Sequence, residues 1–172
     1  PECLIATRKR SGFLLSMLLK LTVFWRKRIP VMEVLGEDQR SLLLNAGIRP
    51  ERIRLKRDPS PVSIPEGTPP VELPETLRDR CVLLYSGNFG VAHDQDTFIN
   101  GYARHHLQGS ARVMFWLNAV GSGADAVEQK LRELNVPVVR SKPVPLDQLP
   151  SLLVTPHAHL ITLRPPFVGY VM

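Results

Sequence analysis

From Cys81 to Leu163, short apolar runs alternate with amphipathic stretches, and glycine-bearing turns stand between them. That alternation constrains the fold more than any other feature of the chain. Residues 81–86, 112–117, 136–140 and 159–163 read as strands, and residues 96–107, 124–134 and 146–153 as helices. Strands that are apolar along their whole length are buried on both faces, which predicts a parallel sheet covered by helices. Right-handed crossovers then give an α/β fold with a Rossmann-like doubly wound parallel sheet. Cys81 is expected to be a buried strand residue.

Upstream the pattern differs. An apolar stretch begins at Phe13 and ends at Trp25, between Arg8-Lys9-Arg10 and Arg26-Lys27-Arg28. It is too short to cross a bilayer as a helix, which takes about 20 apolar residues. Two readings stay open: a helix packed on another part of its domain, and a helix lying in a membrane surface. Residues 31–35 read as a short strand. Residues 37–45 read as a helix with Glu37 and Asp38 in its first turn and Gly47 beyond its end. Residues 53–56 read as a second strand. Sixteen prolines are many for 172 residues. Several fall in residues 58–77, which read as a linker because proline neither continues a helix nor pairs fully inside a sheet. The expected organisation is the end of one domain at 1–57, a linker at 58–80 and a second domain at 81–172. A start at Pro1 and a stop just after a loop suggest a fragment.

The formal net charge is +6 and the apolar fraction 44 %, so the chain can bury a core and attract anions. Charge alone does not choose among nucleotides, nucleic acid and an anionic membrane. Cys3 and Cys81 form no metal or redox spacing and read as reduced thiols of a cytosolic protein.

In a doubly wound sheet, ligands bind at the carboxyl ends of the strands. Four segments lie there. Gly87-Asn88-Phe89-Gly90 lets the backbone turn sharply and come close to a ligand, with His93 just beyond. Its spacing is not GxGxxG, which disfavours a nicotinamide dinucleotide. Gly121-Ser122-Gly123 opens the next helix. Arg140-Ser141-Lys142 follows the third strand. Arg164, Phe167, Gly169 and Tyr170 belong to a long loop after the fourth. His93 could give a phosphate a proton or hydrogen bond. His105 and His106 suit the carboxyl end of their helix. His157 and His159 have no Cys, Asp or Glu companions, and no metal is expected. Asp94, Asp96, Asp125 and Asp147 read as residues of helix starts. No catalytic triad, P-loop or carboxylate pair is legible, and no nucleophile or base is assigned.

In order and spacing these segments resemble the donor domain of GT-B glycosyltransferases of the retaining, family-four type. Val82-Leu83-Leu84-Tyr85-Ser86-Gly87-Asn88-Phe89-Gly90 with His93-Asp94 is similar to the opening of that domain. Val120-Gly121-Ser122-Gly123 resembles its second turn, and residues 136–145 with 149–153 its third strand and short helix. Val34-Leu35-Gly36-Glu37 and residues 52–59 resemble the end of the acceptor domain and the crossover. The resemblance runs from about Ile29 onward and implies sugar transfer from a nucleotide-diphosphate sugar to a polysaccharide or lipid-linked acceptor.

By that resemblance, Gly87, Asn88, Phe89, Gly90 and His93 would face the donor phosphates and acceptor. Gly121, Ser122, Gly123, Arg140, Ser141 and Lys142 would hold the nucleotide. Arg164, Phe167, Gly169 and Tyr170 would start the loop that meets the sugar. The family usually places an Arg and a Lys after the first turn; here Asn88 and His93 stand there. The implied partners are a nucleotide sugar and a glycan or lipid-linked acceptor, not nucleic acid. A membrane surface is a further expected partner through Phe13, Trp25 and the flanking cations. No cofactor or metal is implied. The expected location is the cytoplasm, and the in-plane reading of residues 13–25 adds the inner face of the membrane. The segment that grips the sugar and ribose in this family has no counterpart before Met172, so the chain alone is expected to lack transferase activity.

Overall fold

The computed structural model describes residues 13–57 and 62–169. The chain divides into two compact units, one within residues 1–59 and 163–172, the other within residues 60–162. Unit 1 holds helix α1 (Phe13–Arg26), strand β1 (Met32–Val34), helix α2 (Glu37–Asn45) and strand β2 (Ile53–Leu55). β1 and β2 pair in parallel, with Met32 opposite Ile53 and Val34 opposite Leu55. Val34, Leu43, Ile48 and Ile53 form the buried cluster between this pair and α2. The helix expected over residues 37–45 has those bounds. Gly47 follows it at φ +78°, a backbone conformation that glycine adopts without steric cost.

Residues 163–169 group with unit 1 rather than with the sheet they follow. Phe167 is buried in a 3-10 turn, Pro165–Phe167. The Gly169 N–H donates to Asp38 Oδ2 at 3.0 Å. Asp38 thus anchors this segment to α2 in addition to standing in the first turn of that helix.

Unit 2 is an α/β layer structure around a four-stranded parallel sheet. Its strands are β3 (Cys81–Asn88), β4 (Val113–Val120), β5 (Val138–Ser141) and β6 (Ala158–His159), in the order β5-β4-β3-β6. Its helices are α3 (Gln95–Gln108), α4 (Ser122–Glu133) and α5 (Leu149–Val154). The chain steps outward from β3 to β4 to β5, then returns to place β6 on the other side of β3. That reversal is the Rossmann-like doubly wound arrangement, and it sets a switch point between β3 and β6.

Side chains alternate between the two faces of the sheet. Tyr85, Phe115, Leu117 and Ala119 face one cluster with Ile99, Tyr102 and Ala103 of α3 and Ala124, Val127 and Leu131 of α4. Val82, Leu84, Met114 and Trp116 face the other with Leu77 and Leu152. Val71 and Leu73 pack on that second cluster, so the later part of the proline-rich stretch covers the sheet as well as connecting.

Three expectations need correction. Cys81 is exposed, because it begins β3 at the rim of the sheet, where its N–H donates to the Arg112 carbonyl. β3 and β4 run on through the residues read as turns: Gly87 pairs with Ala119 and Asn88 with Val120. A parallel ladder needs only backbone groups, so pairing outlasts the apolar run. The fourth strand, expected over residues 159–163, is only Ala158–His159. Leu160 still donates to the Leu84 carbonyl, but Ile161 is 89 % exposed and the Thr162 carbonyl is taken by the His93 ring.

Candidate functional site

The carboxyl ends of β3 and β4 bring two of the four segments into contact. Gly121 stands at the amino end of α4 with φ +99°, and no side chain caps that helix. A methyl group on Gly123 would overlap the Phe89 carbonyl oxygen, and one on Gly121 would lie 2.6 Å from Asn88 Oδ1. Only glycine lets the turn after β3 press this closely on the start of α4. Gly87, at φ +141°, takes the backbone through the end of β3. Gly87, Asn88, Phe89 and Gly90 therefore lie beside Gly121, Ser122 and Gly123. The uncapped amino end of a twelve-residue helix opens there. Such an end favours anions through its N–H groups and dipole.

His93 ties this turn across the switch point. Its Nδ1 donates to the Thr162 carbonyl at 2.9 Å, and its Nε2 lies 3.1 Å from the Tyr85 hydroxyl. Tyr85 also donates to the Asn88 carbonyl at 3.0 Å. The rings of Tyr85, Phe89 and His93 pack with centroids 4.4 to 5.3 Å apart. Burial raises the Tyr85 pKa, so the hydroxyl keeps its proton at neutral pH. Tyr85 has one proton for two acceptors, the Asn88 carbonyl and neutral His93. An imidazolium would donate to Tyr85 and release that proton wholly to Asn88. Both ring nitrogens of His93 are thus engaged within the protein, and the ring orients the turn.

The third segment is held by a buried amide. Asn118, 1 % exposed, accepts from Ser86 Oγ and donates from Nδ2 to Ser141 Oγ at 2.8 Å and to the Lys142 carbonyl. The Trp116 indole N–H donates to the same Ser141 hydroxyl at 2.8 Å. Lys142 itself is exposed. Arg140 turns to α4, 3.1 Å from Asp125 and 3.8 Å from Glu128. Asp125 is its hydrogen-bonded partner, while Glu128 is shared with Arg132 at 2.6 Å and Arg140 Nη1 is buried without a hydrogen bond.

Arg164, Phe167 and Gly169 belong to unit 1, and Tyr170 lies outside the described residues. The remaining histidines hold backbone. His105 and His106 stand in the last turn of α3, where His105 Nε2 accepts from the Val113 N–H and His106 Nε2 donates to the Val113 carbonyl, so the pair also holds the start of β4. His157 Nδ1 accepts from the Val82 N–H, and His159 Nε2 donates to the Leu153 carbonyl. Among the described residues no three metal-ligating side chains cluster. Asp94 caps α3 by accepting from the Thr97 N–H.

Tyr85, Asn118 and Thr162 carry much of the site's geometry, and none of them stood out in the sequence as a candidate ligand contact. Tyr85 and Asn118 were legible as polar groups in apolar runs. Thr162 had no signal, since it holds His93 through its backbone carbonyl.

No protein-family model matches the chain, and no curated protein matches it.

Proposed function

We propose that unit 2 is the nucleotide-binding part of a glycosyltransferase that moves a sugar from a nucleotide-diphosphate sugar to a polysaccharide or lipid-linked acceptor. One observation carries the reading: two glycine turns packed together at the carboxyl ends of adjacent parallel strands, against an uncapped helix amino end. The departing nucleoside diphosphate carries negative charge, which preorganised N–H groups and a helix dipole stabilise. Gly121, Ser122 and Gly123 supply that amino end. Gly87 to Gly90 supply the backbone close to it, and His93 fixes their orientation. Lys142 is the exposed cation of the third turn.

A second reading is favoured by the engagement of His93 and Arg140 within the protein. It is a Rossmann-like module that holds a nucleotide without transferring a sugar. A thermal-shift screen of uridine, guanosine and adenosine diphosphates and their sugars separates the cases. A ligand at a hundredfold excess over its Kd stabilises by about 2.7 kcal/mol. One base is expected to raise the melting temperature above the others. No shift with any of them would sink both readings. A nucleoside diphosphate that binds as well as its sugar, with no transfer by a longer chain containing these residues, would favour the second.

A further inference from the structure

α1 presents an apolar face that no buried cluster of the described residues covers. Phe13, Met17, Leu21 and Phe24 fall at helical spacing on one side, and Leu18 and Trp25, seven apart, widen it. All six are exposed, Phe13 at 87 % and Trp25 at 60 %. None belongs to the buried cluster of Val34, Leu43, Ile48 and Ile53. Cations border the face. Lys20 and Lys27, also seven apart, run along one edge, and the Arg28 guanidinium sits 3.5 Å from the centroid of the Phe24 ring. At the same end of the helix, Lys27, Arg49 and Arg52 line a cavity of about 250 Å³ with Gly47 and Ile48. Arg52 donates there to the Lys27 carbonyl.

We infer that α1 lies in the plane of an anionic lipid surface, with its apolar face among the acyl chains and the cations of its carboxyl end among headgroup phosphates. Fourteen residues of α-helix span about 21 Å, short of a roughly 30 Å hydrocarbon core. No described helix is long and apolar enough to cross. Large apolar side chains flanked by cations, with a tryptophan at one end, suit the boundary between headgroups and chains. The charge complementarity selects phosphate-bearing lipid over a second copy of the chain, whose own cations would meet these. The inference does not rest on the donor-site reading, because α1 belongs to unit 1 and the glycine turns to unit 2.

The test is sedimentation of the 172-residue chain with vesicles of phosphatidylcholine, with and without phosphatidylglycerol. Binding is expected with the anionic vesicles and weak with the neutral ones. Leu21→Glu, at a half-exposed position outside the buried cluster, is expected to abolish it. Lys20→Gln with Lys27→Gln is expected to weaken it about thirtyfold, from roughly 1 kcal/mol for each cation near the surface. Trp25 emission should shift to the blue and be quenched by brominated lipid, while buried Trp116 reports no change. That measurement needs no variant. Absence of binding to either vesicle overturns the inference, as does binding that ignores both Leu21→Glu and lipid charge. A concentration-dependent dimer lost in Leu21→Glu, without vesicle binding, would assign the face to a second copy and overturn it too.

Discussion

Gly123 and Gly101 show how differently one residue type is used. A methyl group on Gly101, inside α3, would meet nothing within 4 Å. Gly101→Ala is therefore expected to stabilise unit 2 by roughly 0.5–1 kcal/mol, because it lowers the backbone entropy lost on folding. A methyl group on Gly123 would overlap the Phe89 carbonyl and lie 2.7 Å from Gln95 Nε2. Gly123→Ala is expected to cost about 1–3 kcal/mol and to part the two turns. Denaturant unfolding of both variants checks the opposite signs. Tyr102 gives a second prediction at this scale. Its hydroxyl donates to the Pro137 carbonyl and accepts from the Phe115 N–H. Burial pushes its pKa up from 10.0 to about 12, against a smaller lowering by the Phe115 N–H. The folded chain then keeps a proton that the unfolded chain loses above pH 10. Stability from this group is present in full below pH 10 and falls as pH rises through about 12. The loss is on the order of 1–3 kcal/mol, because solvent screens part of the effect. Tyr102→Phe should flatten that alkaline loss and should itself cost about 1–3 kcal/mol at neutral pH, where it leaves the Phe115 N–H without its acceptor. Unfolding measured from pH 8 to 12 would expose the error if the two proteins lost stability in parallel.

Among elements, what could be read from sequence was what burial dictates. α2, α3 and α4 were legible to within two residues at either end, because apolar spacing and turn residues mark helix ends locally. β6 was misjudged because the apolar run of residues 159–163 has strand composition, yet only Ala158 and His159 pair with β3. The His93 ring that takes the Thr162 carbonyl is 69 residues away in the chain, so no local pattern could announce it. The edge strand β5 illustrates the same point. All four of its residues are only half-buried, and its end is tied to β4 by Asn118 and Trp116 through Ser141. Asn118→Ala would leave the Ser86 hydroxyl and the Lys142 carbonyl without their partner. A cost of roughly 1–3 kcal/mol is expected for buried groups left unpaired. Hydrogen exchange should show faster loss of protection in β5 than in β3. Equal protection in variant and parent would mean that Asn118 does not secure the strand.

Over the whole molecule, charge attracts anions before any site selects one. A net charge of +6 draws phosphates broadly, so a shift in stability with a nucleoside diphosphate does not by itself identify a binding site. Long-range attraction is screened over about 8 Å at physiological ionic strength and about 3 Å at 1 M salt. In the proposed nucleotide site, contacts through backbone N–H groups at Gly121 to Gly123, and through packing of a base, would act at shorter range. The doubly wound order of unit 2 was readable from the alternation after Cys81, but this difference in range was not, because it depends on which cations are already paired. Arg140 is held by Asp125 and Glu128, whereas Lys142 is exposed. Inorganic pyrophosphate and the preferred nucleoside diphosphate should then respond differently to salt. Pyrophosphate binding should collapse between low salt and 1 M, while the nucleotide keeps the part of its affinity that base and ribose contacts supply. Lys142→Ala should weaken both at low salt, and Arg140→Ala should weaken neither beyond its effect on folding. Calorimetric titration across salt concentration decides it: if the two ligands lose affinity in step, bulk charge and not a nucleotide site holds them.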